Sequence, residues 1–188
     1  MKLKKNVNKQ RQLIVFDLDE TLVHASMAEL GHPAAFAFPP YFVYQRPFAA
    51  EMLEQLAANY DLAVWSSSSR EYVDAVVAQV FGDRYPIKFA WSIERCVQRV
   101  DIKSNSYVYI KDLRKIQGQG YTLDQISIVD DSPEKIARQP RNHVVITPYL
   151  GDQNDKALLD IVETFKLRSG TTESITHFPV HGAGEPDS

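Results

Sequence analysis

The sequence predicts an α/β fold, an open and mostly parallel sheet flanked by helices. Three observations carry that expectation. Short apolar runs of strand length alternate with longer segments of helical periodicity, as parallel strands joined by crossovers do. The runs are apolar throughout instead of alternating, the mark of strands covered on both faces. Several end in Asp, Ser or Lys, which suits chain emerging at the carboxyl edge of such a sheet, where sites gather.

Leu13-Ile14-Val15-Phe16 is the first such run and is followed at once by acids. His24 to Gln45 holds Pro33, Pro39 and Pro40, with Ala35-Phe36-Ala37-Phe38 and Tyr41-Phe42-Val43-Tyr44 on either side of the last two prolines; a short hairpin or flap fits. Pro47 suits the first turn of a helix whose Met52, Leu53 and Leu56 share a face and which ends near Asn59. Leu62-Ala63-Val64-Trp65 is a second buried strand. Ser68-Ser69-Arg70-Glu71 matches a capping box ahead of Tyr72, Val73, Val76, Val77 and Val80, and Gly82 closes that helix. Ile87 to Trp91 and Tyr107 to Ile110 predict further strands, with a compact insertion from Glu94 to Ser106 between them. Ile126-Ser127-Ile128-Val129 ends in Asp130 and Asp131, and Ser132-Pro133 supplies the cap and first residue of a helix. Val144-Val145-Ile146 and a helix from Lys156 to Phe165 complete the set.

The chain has 188 residues, enough for one core with tails. Residues 13–168 form the domain. Residues 1–12, with Lys2, Lys4, Lys5, Lys9 and Arg11 and no acid, read as a basic, poorly ordered arm, and residues 169–188 as a flexible tail. The apolar segment after the arm reaches Asp17 too soon for a signal peptide, and no apolar run is long enough to span a membrane. A net charge of −3 supplies no cationic field for nucleic acid, so neither membrane nor nucleic acid is an expected partner. The single cysteine, Cys96, excludes an internal disulfide and points to a reducing compartment, cytoplasmic or, in a eukaryote, nuclear. Cys96 lacks an activating pattern, and Trp65, Phe36, Phe38, Tyr41 and Tyr44 read as core or hairpin packing.

Parallel strands bring their carboxyl ends to one edge, so Asp17 and Asp19, Ser66, Lys111, and Asp130 with Asp131 are expected to converge. The wording around them is specific: Val15-Phe16-Asp17-Leu18-Asp19-Glu20-Thr21-Leu22-Val23-His24, then Arg46-Pro47, Tyr107-Val108-Tyr109-Ile110-Lys111-Asp112-Leu113, and Ile128-Val129-Asp130-Asp131-Ser132-Pro133. In this order the motifs resemble the haloacid-dehalogenase-like phosphatases, and within them the RNA polymerase II carboxy-terminal-domain phosphatases and their NLI-interacting-factor-like relatives. The likeness runs from about Leu13 to Phe165. It implies a Rossmann-like fold with a small flap or insertion and no large cap domain. Two departures stand out: Ser66-Ser67-Ser68 where the family usually has Thr-Ala-Ser, and Asp131 where its small branch has asparagine.

The chemistry of a phosphomonoester explains the residue types. A carboxylate approaching a nearly doubly charged phosphate is repelled by several kcal/mol unless cations intervene. Oxygen ligands suit Mg²⁺, to which Asp17 and Asp130 each offer a carboxylate oxygen and Asp19 its backbone carbonyl, with Asp131 and Thr21 just outside the coordinating groups. Asp17 is the expected nucleophile, forming an aspartyl-phosphate, and Asp19 the acid and then the base. Ser66 offers a hydroxyl to a phosphoryl oxygen, the amides of Ser67 to Ser69 face the same anion, and Lys111 neutralises charge. His24 reads as a flap residue that orients its loop by hydrogen bonds. The expected activity is Mg²⁺-dependent phosphatase action on phosphoserine or phosphothreonine in a protein or peptide. The alternatives are a small-molecule phosphatase for sugar or nucleotide phosphates, and a non-catalytic phosphate-binding scaffold.

Overall fold

The computed structural model describes residues 11–102 and 105–170, so the terminal segments read as arm and tail lie almost wholly outside the described residues. In chain order, β1 (Leu13–Phe16) leads into a flap of β2 (Val23–Ser26), β3 (Phe36–Phe38) and β4 (Tyr41–Gln45). Then come α1 (Ala49–Ala57), β5 (Asp61–Trp65), α2 (Arg70–Val80) and β6 (Ala90–Trp91). β7 (Val97–Asp101) and β8 (Ser106–Ile110) form a hairpin, β9 (Ile126–Asp130) and β10 (His143–Val145) rejoin the main sheet, and α3 (Ala157–Ser169) is the last described element.

The main sheet has five strands in the order β10-β9-β1-β5-β6, every pairing parallel. β1 is central and its four residues are all buried, as an unbroken apolar run requires. Alternation sends Ile14 and Phe16 to the face packed by α1, α2 and α3, and Leu13 and Val15 to the face packed by Leu113, Ile116 and Ile136. That second face is covered by 3₁₀ turns, Leu113–Gln119 and Pro133–Ile136, and not by long helices. Each fully buried aliphatic or aromatic side chain in these layers contributes roughly 1.5–3 kcal/mol.

Five local expectations are revised. His24 to Gln45 is a three-stranded antiparallel sheet in the order β2-β4-β3, not a simple hairpin, because Val23–Ser26 pairs with β4 in a register that sets Val23 against Gln45. Tyr107 to Ile110 forms a strand but leaves the main sheet to pair antiparallel with β7, its neighbour in sequence; the short connection makes this the cheaper closure. Pro47 stands one residue ahead of the N-cap of α1, Phe48. The helix expected after Ser132-Pro133 is a four-residue 3₁₀ turn, since the Lys135 carbonyl that would continue it accepts the Lys111 N–H at 2.8 Å. Arg11, read as part of the arm, is fastened to the end of α1 by hydrogen bonds to the carbonyls of Ala57 and Tyr60 at 2.6 and 2.8 Å.

Candidate active site

The order of strands puts a crevice at β1. The chain steps from β1 outward to β5 and β6, then returns to the other side of β1 with β9 and β10, and ligands of open α/β sheets bind at that reversal. Phe16 is in register with Val129, and the Asp17 N–H donates to the Val129 carbonyl at 2.9 Å, so Asp17 and Asp130 emerge side by side. Lys111 arrives from the end of β8 and is wholly buried between them. Its Nζ lies 2.8 Å from Asp17 Oδ1 and 2.6 Å from Asp130 Oδ2. Lys135, from the 3₁₀ turn, reaches Asp17 Oδ2 at 3.4 Å.

These charges set one another. Burial would raise the Asp17 carboxyl, but Lys111 and Lys135 outweigh it and hold Asp17 below the usual carboxylate range. Asp130 goes the other way, pushed up to about 6 by burial and then by the charge of Asp17, with the two lysines only partly compensating. Burial by itself would lower Lys111, yet Asp17 and Asp130 raise it above the ordinary lysine value, and Lys135 is raised against burial chiefly by Asp17. Of the two acids, Asp17 is therefore the one that stays ionised as the pH falls and Asp130 the first to take up a proton.

The residues present fit a hard divalent cation. Carboxylate oxygens of Asp17, Asp130 and Asp131 lie within 4.8 Å of one another. Asp17 Oδ1 is buried and lacks a hydrogen-bond donor among the described residues; Lys111 approaches it as a charge without hydrogen-bond geometry. An all-oxygen set of this kind suits Mg²⁺. Because the proton that Asp130 takes up near pH 6 competes with the ion, added Mg²⁺ is expected to raise the melting temperature at neutral pH, and the rise is expected to shrink as pH falls through about 6. A Mg²⁺-induced rise of constant size from pH 5 to pH 8 would remove Asp130 from the ligand set.

The loop after Asp17 is tight. Glu20 takes the left-handed conformation at φ 60°, costing about 1–2 kcal/mol, and lets the N–H groups of Thr21, Leu22 and Val23 all converge on the Leu18 carbonyl. The loop is clamped from behind by Arg46, whose guanidinium is fully buried. It forms two 2.8 Å bonds with the Asp155 carboxylate, one with the Thr147 carbonyl at 2.8 Å and one with the Thr21 carbonyl at 3.1 Å. Thr21 itself is buried with its hydroxyl unpartnered among the described residues. His24 Nδ1 sits 3.0 Å from both Glu20 carboxylate oxygens, which bears out its role in orienting the loop.

Asp19, half-buried, faces α2. Ser68 Oγ donates to its Oδ2 at 2.6 Å and the Tyr72 hydroxyl to its Oδ1 at 2.7 Å; burial raises the Asp19 carboxyl, with these two donors partly offsetting it. The four consecutive serines, Ser66 to Ser69, divide their work. Ser66 is buried just past the end of β5 and its Oγ accepts the Ser68 N–H at 3.0 Å. Ser67 follows in the same turn. Ser69, not Ser68, caps α2 by accepting the Tyr72 N–H, and Gly82 at φ 52° ends that helix as expected. Asp131 is half-buried and accepts from the Ser132 hydroxyl at 3.1 Å.

Every residue singled out from the sequence for the site, Asp17, Asp19, Thr21, Ser66, Ser67, Lys111, Asp130 and Asp131, lies at this edge or in the loops that leave it. Sequence reasoning missed Lys135, Ser68, Tyr72 and the Arg46–Asp155 clamp. Of these Arg46 carried a signal as part of a quoted motif, and Ser68 as the serine that matches the family's Thr-Ala-Ser. Cys96 is half-buried beside the Ser66 carbonyl, and burial pushes its thiol up.

Comparison with known proteins places this geometry. Residues 12–176 match the model of the NLI interacting factor-like phosphatase family. The chain is 30% identical over 168 residues to CTD small phosphatase-like protein 1 of Caenorhabditis elegans, covering 85% of this chain and 32% of that protein. It is 28% identical over 189 residues to nuclear envelope morphology protein 1 of Saccharomyces cerevisiae, covering 89% and 41%. The chain thus spans well under half the length of these two relatives. Among solved structures, Fcp1, an RNA polymerase II CTD phosphatase, superposes with a TM-score of 0.53 at 18% identity, over 86% of this chain and 48% of that one. A haloacid dehalogenase-like hydrolase of Streptococcus pneumoniae gives 0.55 at 14%, over 82% and 98%. The structural likenesses establish a Rossmann-like fold of the haloacid-dehalogenase type, and the family match over nearly all of that fold establishes that the chain belongs to the NLI interacting factor-like phosphatases.

Proposed function

We propose that this protein is a Mg²⁺-dependent phosphomonoester hydrolase that works through an aspartyl-phosphate on Asp17, and that its substrates are phosphoserine or phosphothreonine side chains of proteins. The observation that carries the reading is the buried Lys111 ammonium held between Asp17 and Asp130, which keeps the Asp17 carboxylate ionised at the carboxyl edge of the sheet. Asp17 and Asp130, with the backbone carbonyl of Asp19, are the groups to hold Mg²⁺, with Asp131 and Thr21 beside them. When bound, the ion supplies positive charge against the phosphoryl oxygens.

An Asp17 oxygen attacks phosphorus as the bond to the leaving oxygen breaks, and Asp19 gives that oxygen its proton. Asp19, now ionised, takes a proton from the water that attacks the phosphorus of the aspartyl-phosphate, releasing phosphate and restoring Asp17. Ser66 O–H and the Ser67 N–H bind the phosphoryl oxygens, and Lys111 and Lys135 balance their charge. A protein substrate is supported by the names of the relatives, CTD phosphatases among them, and by the modest size of the two insertions at the edge, a three-stranded flap and a hairpin.

The test is a panel of phosphopeptides and metabolite phosphates with and without Mg²⁺. Phosphopeptides are expected to lead on kcat/KM, and all turnover to stop in chelator. A sugar or nucleotide phosphate that outpaces every phosphopeptide makes this a small-molecule phosphatase; phosphopeptide binding without turnover makes it a scaffold.

A further inference from the structure

Asp19 has an environment of its own, separate from the cation pocket. Both of its oxygens receive a hydroxyl proton, one from Ser68 at 2.6 Å and one from Tyr72 at 2.7 Å. Both donors are tied to the start of α2. The Ser68 N–H is held by Ser66 Oγ, and Tyr72 begins the helix one turn after its cap at Ser69. The Tyr72 ring is nearly fully buried and lies edge-on against Phe38 of the flap, with centroids 5.3 Å apart at 80°. A phenol so placed has little rotational freedom. Burial, then the charge of Asp19, keeps it protonated and so a permanent donor.

A carboxylate on a short side chain at a loop is free to rotate about two torsions, whereas proton transfer requires one orientation. Two hydroxyls anchored to a helix end, aimed at different oxygens, fix both torsions. We propose that Ser68 and Tyr72 are positioning residues that hold the Asp19 carboxylate in the orientation from which it protonates the leaving oxygen. The inference rests on the phosphatase reading above and adds to it two residues outside the nucleophile, phosphate and cation groups. It also accounts for part of the sequence between β5 and α2: in the run Ser66-Ser67-Ser68-Ser69, the hydroxyl of Ser68 holds Asp19 while that of Ser69 caps the helix.

The experiment compares p-nitrophenyl phosphate with phenyl phosphate, esters of the same charge and similar shape that differ in how much their leaving oxygen needs a proton. The quantity read is kcat/KM, which covers only the steps up to departure of that oxygen. Tyr72→Phe keeps the ring against Phe38 and removes only the O–H. It is expected to lower kcat/KM about tenfold on phenyl phosphate and about threefold or less on p-nitrophenyl phosphate, with the melting temperature little changed. Ser68→Ala is expected to show the same dependence on leaving group, and Ser68→Thr, which restores a hydroxyl, to recover most of the loss. Equal losses on the two esters, or no loss on either, would overturn the inference while leaving the phosphatase reading intact. A wild-type protein inactive on both esters in Mg²⁺ would overturn that reading, and the inference with it.

Discussion

Asp17→Asn is expected to remove turnover on every substrate, by on the order of 10⁴- to 10⁶-fold, while leaving a folded protein. The amide has the shape of the carboxylate and keeps the backbone bond from Asp17 N–H to Val129, so the register of β1 against β9 survives. What it lacks is the anionic oxygen that Lys111 and Lys135 keep ionised. Stability is expected to shift little, since the substitution also relieves repulsion between Asp17 and Asp130, the second cause of the raised Asp130 carboxyl. Two measurements check this: steady-state rates on p-nitrophenyl phosphate, and mass analysis of acid-quenched protein, where wild type alone acquires one phosphoryl group. A variant that still turns over at a tenth of the wild-type rate would move the nucleophile elsewhere.

Lys111→Met is expected to damage both activity and stability, and the two losses separate in Mg²⁺. The methionine fills the volume of the stem but leaves Asp130 without its cation partner and Asp17, also buried, with Lys135 as its remaining ion pair among the described residues. Stripping one partner from a buried ion cluster costs about 3–5 kcal/mol. In chelator the melting temperature should fall accordingly. Mg²⁺ should restore much of it, because the ion neutralises the same carboxylates. Activity should stay down by on the order of 10²- to 10³-fold even in saturating Mg²⁺, since the charge that met the phosphoryl group is gone. With Lys111 removed, burial also dominates at Asp17 and raises it, so a larger share of the nucleophile is protonated at a given pH. A variant as stable as wild type in chelator would show that the cluster contributes nothing to folding.

Those parts of the fold and site that are written in residue type are legible in the sequence. Leu13-Ile14-Val15-Phe16 can only be a strand covered on both faces, and acids at its end can only face a polar edge. Lys111 can be placed because it follows an apolar run, although that run belongs to the hairpin and not to the main sheet. Which strand pairs with which depends on the order in which distant segments meet, and periodicity carries no such information. Lys135 is invisible for a related reason: in Pro133-Glu134-Lys135 it has the look of an exposed helical residue, and only the 3₁₀ turn closed by the Lys111 N–H swings it toward Asp17. Tyr72 reads as one more apolar member of the face shared by Val73 and Val76, and it does pack there. Its ring serves the core and its hydroxyl serves Asp19, a division that residue type cannot announce. The capping pattern falls one residue early because Glu71 singles out Ser68, whereas the cap is its neighbour Ser69, whose hydroxyl serves equally well.

The position of β1 in the middle of the sheet bears on how the protein is born. This strand is the first of its sheet to leave the ribosome, yet its neighbours are β5, ending at Trp65, and β9, beginning at Ile126. A nascent chain halted before Ile126 can pair β1 on one side only. The other side stays a bare, wholly apolar edge able to add a strand from any other chain. The same halted chain carries Asp17 without Asp130, and Arg46 without Asp155. The completed carboxylate cluster and the covered edge thus arrive together, once Ile126–Asp130 has emerged, and until then the molecule depends on whatever shields that edge.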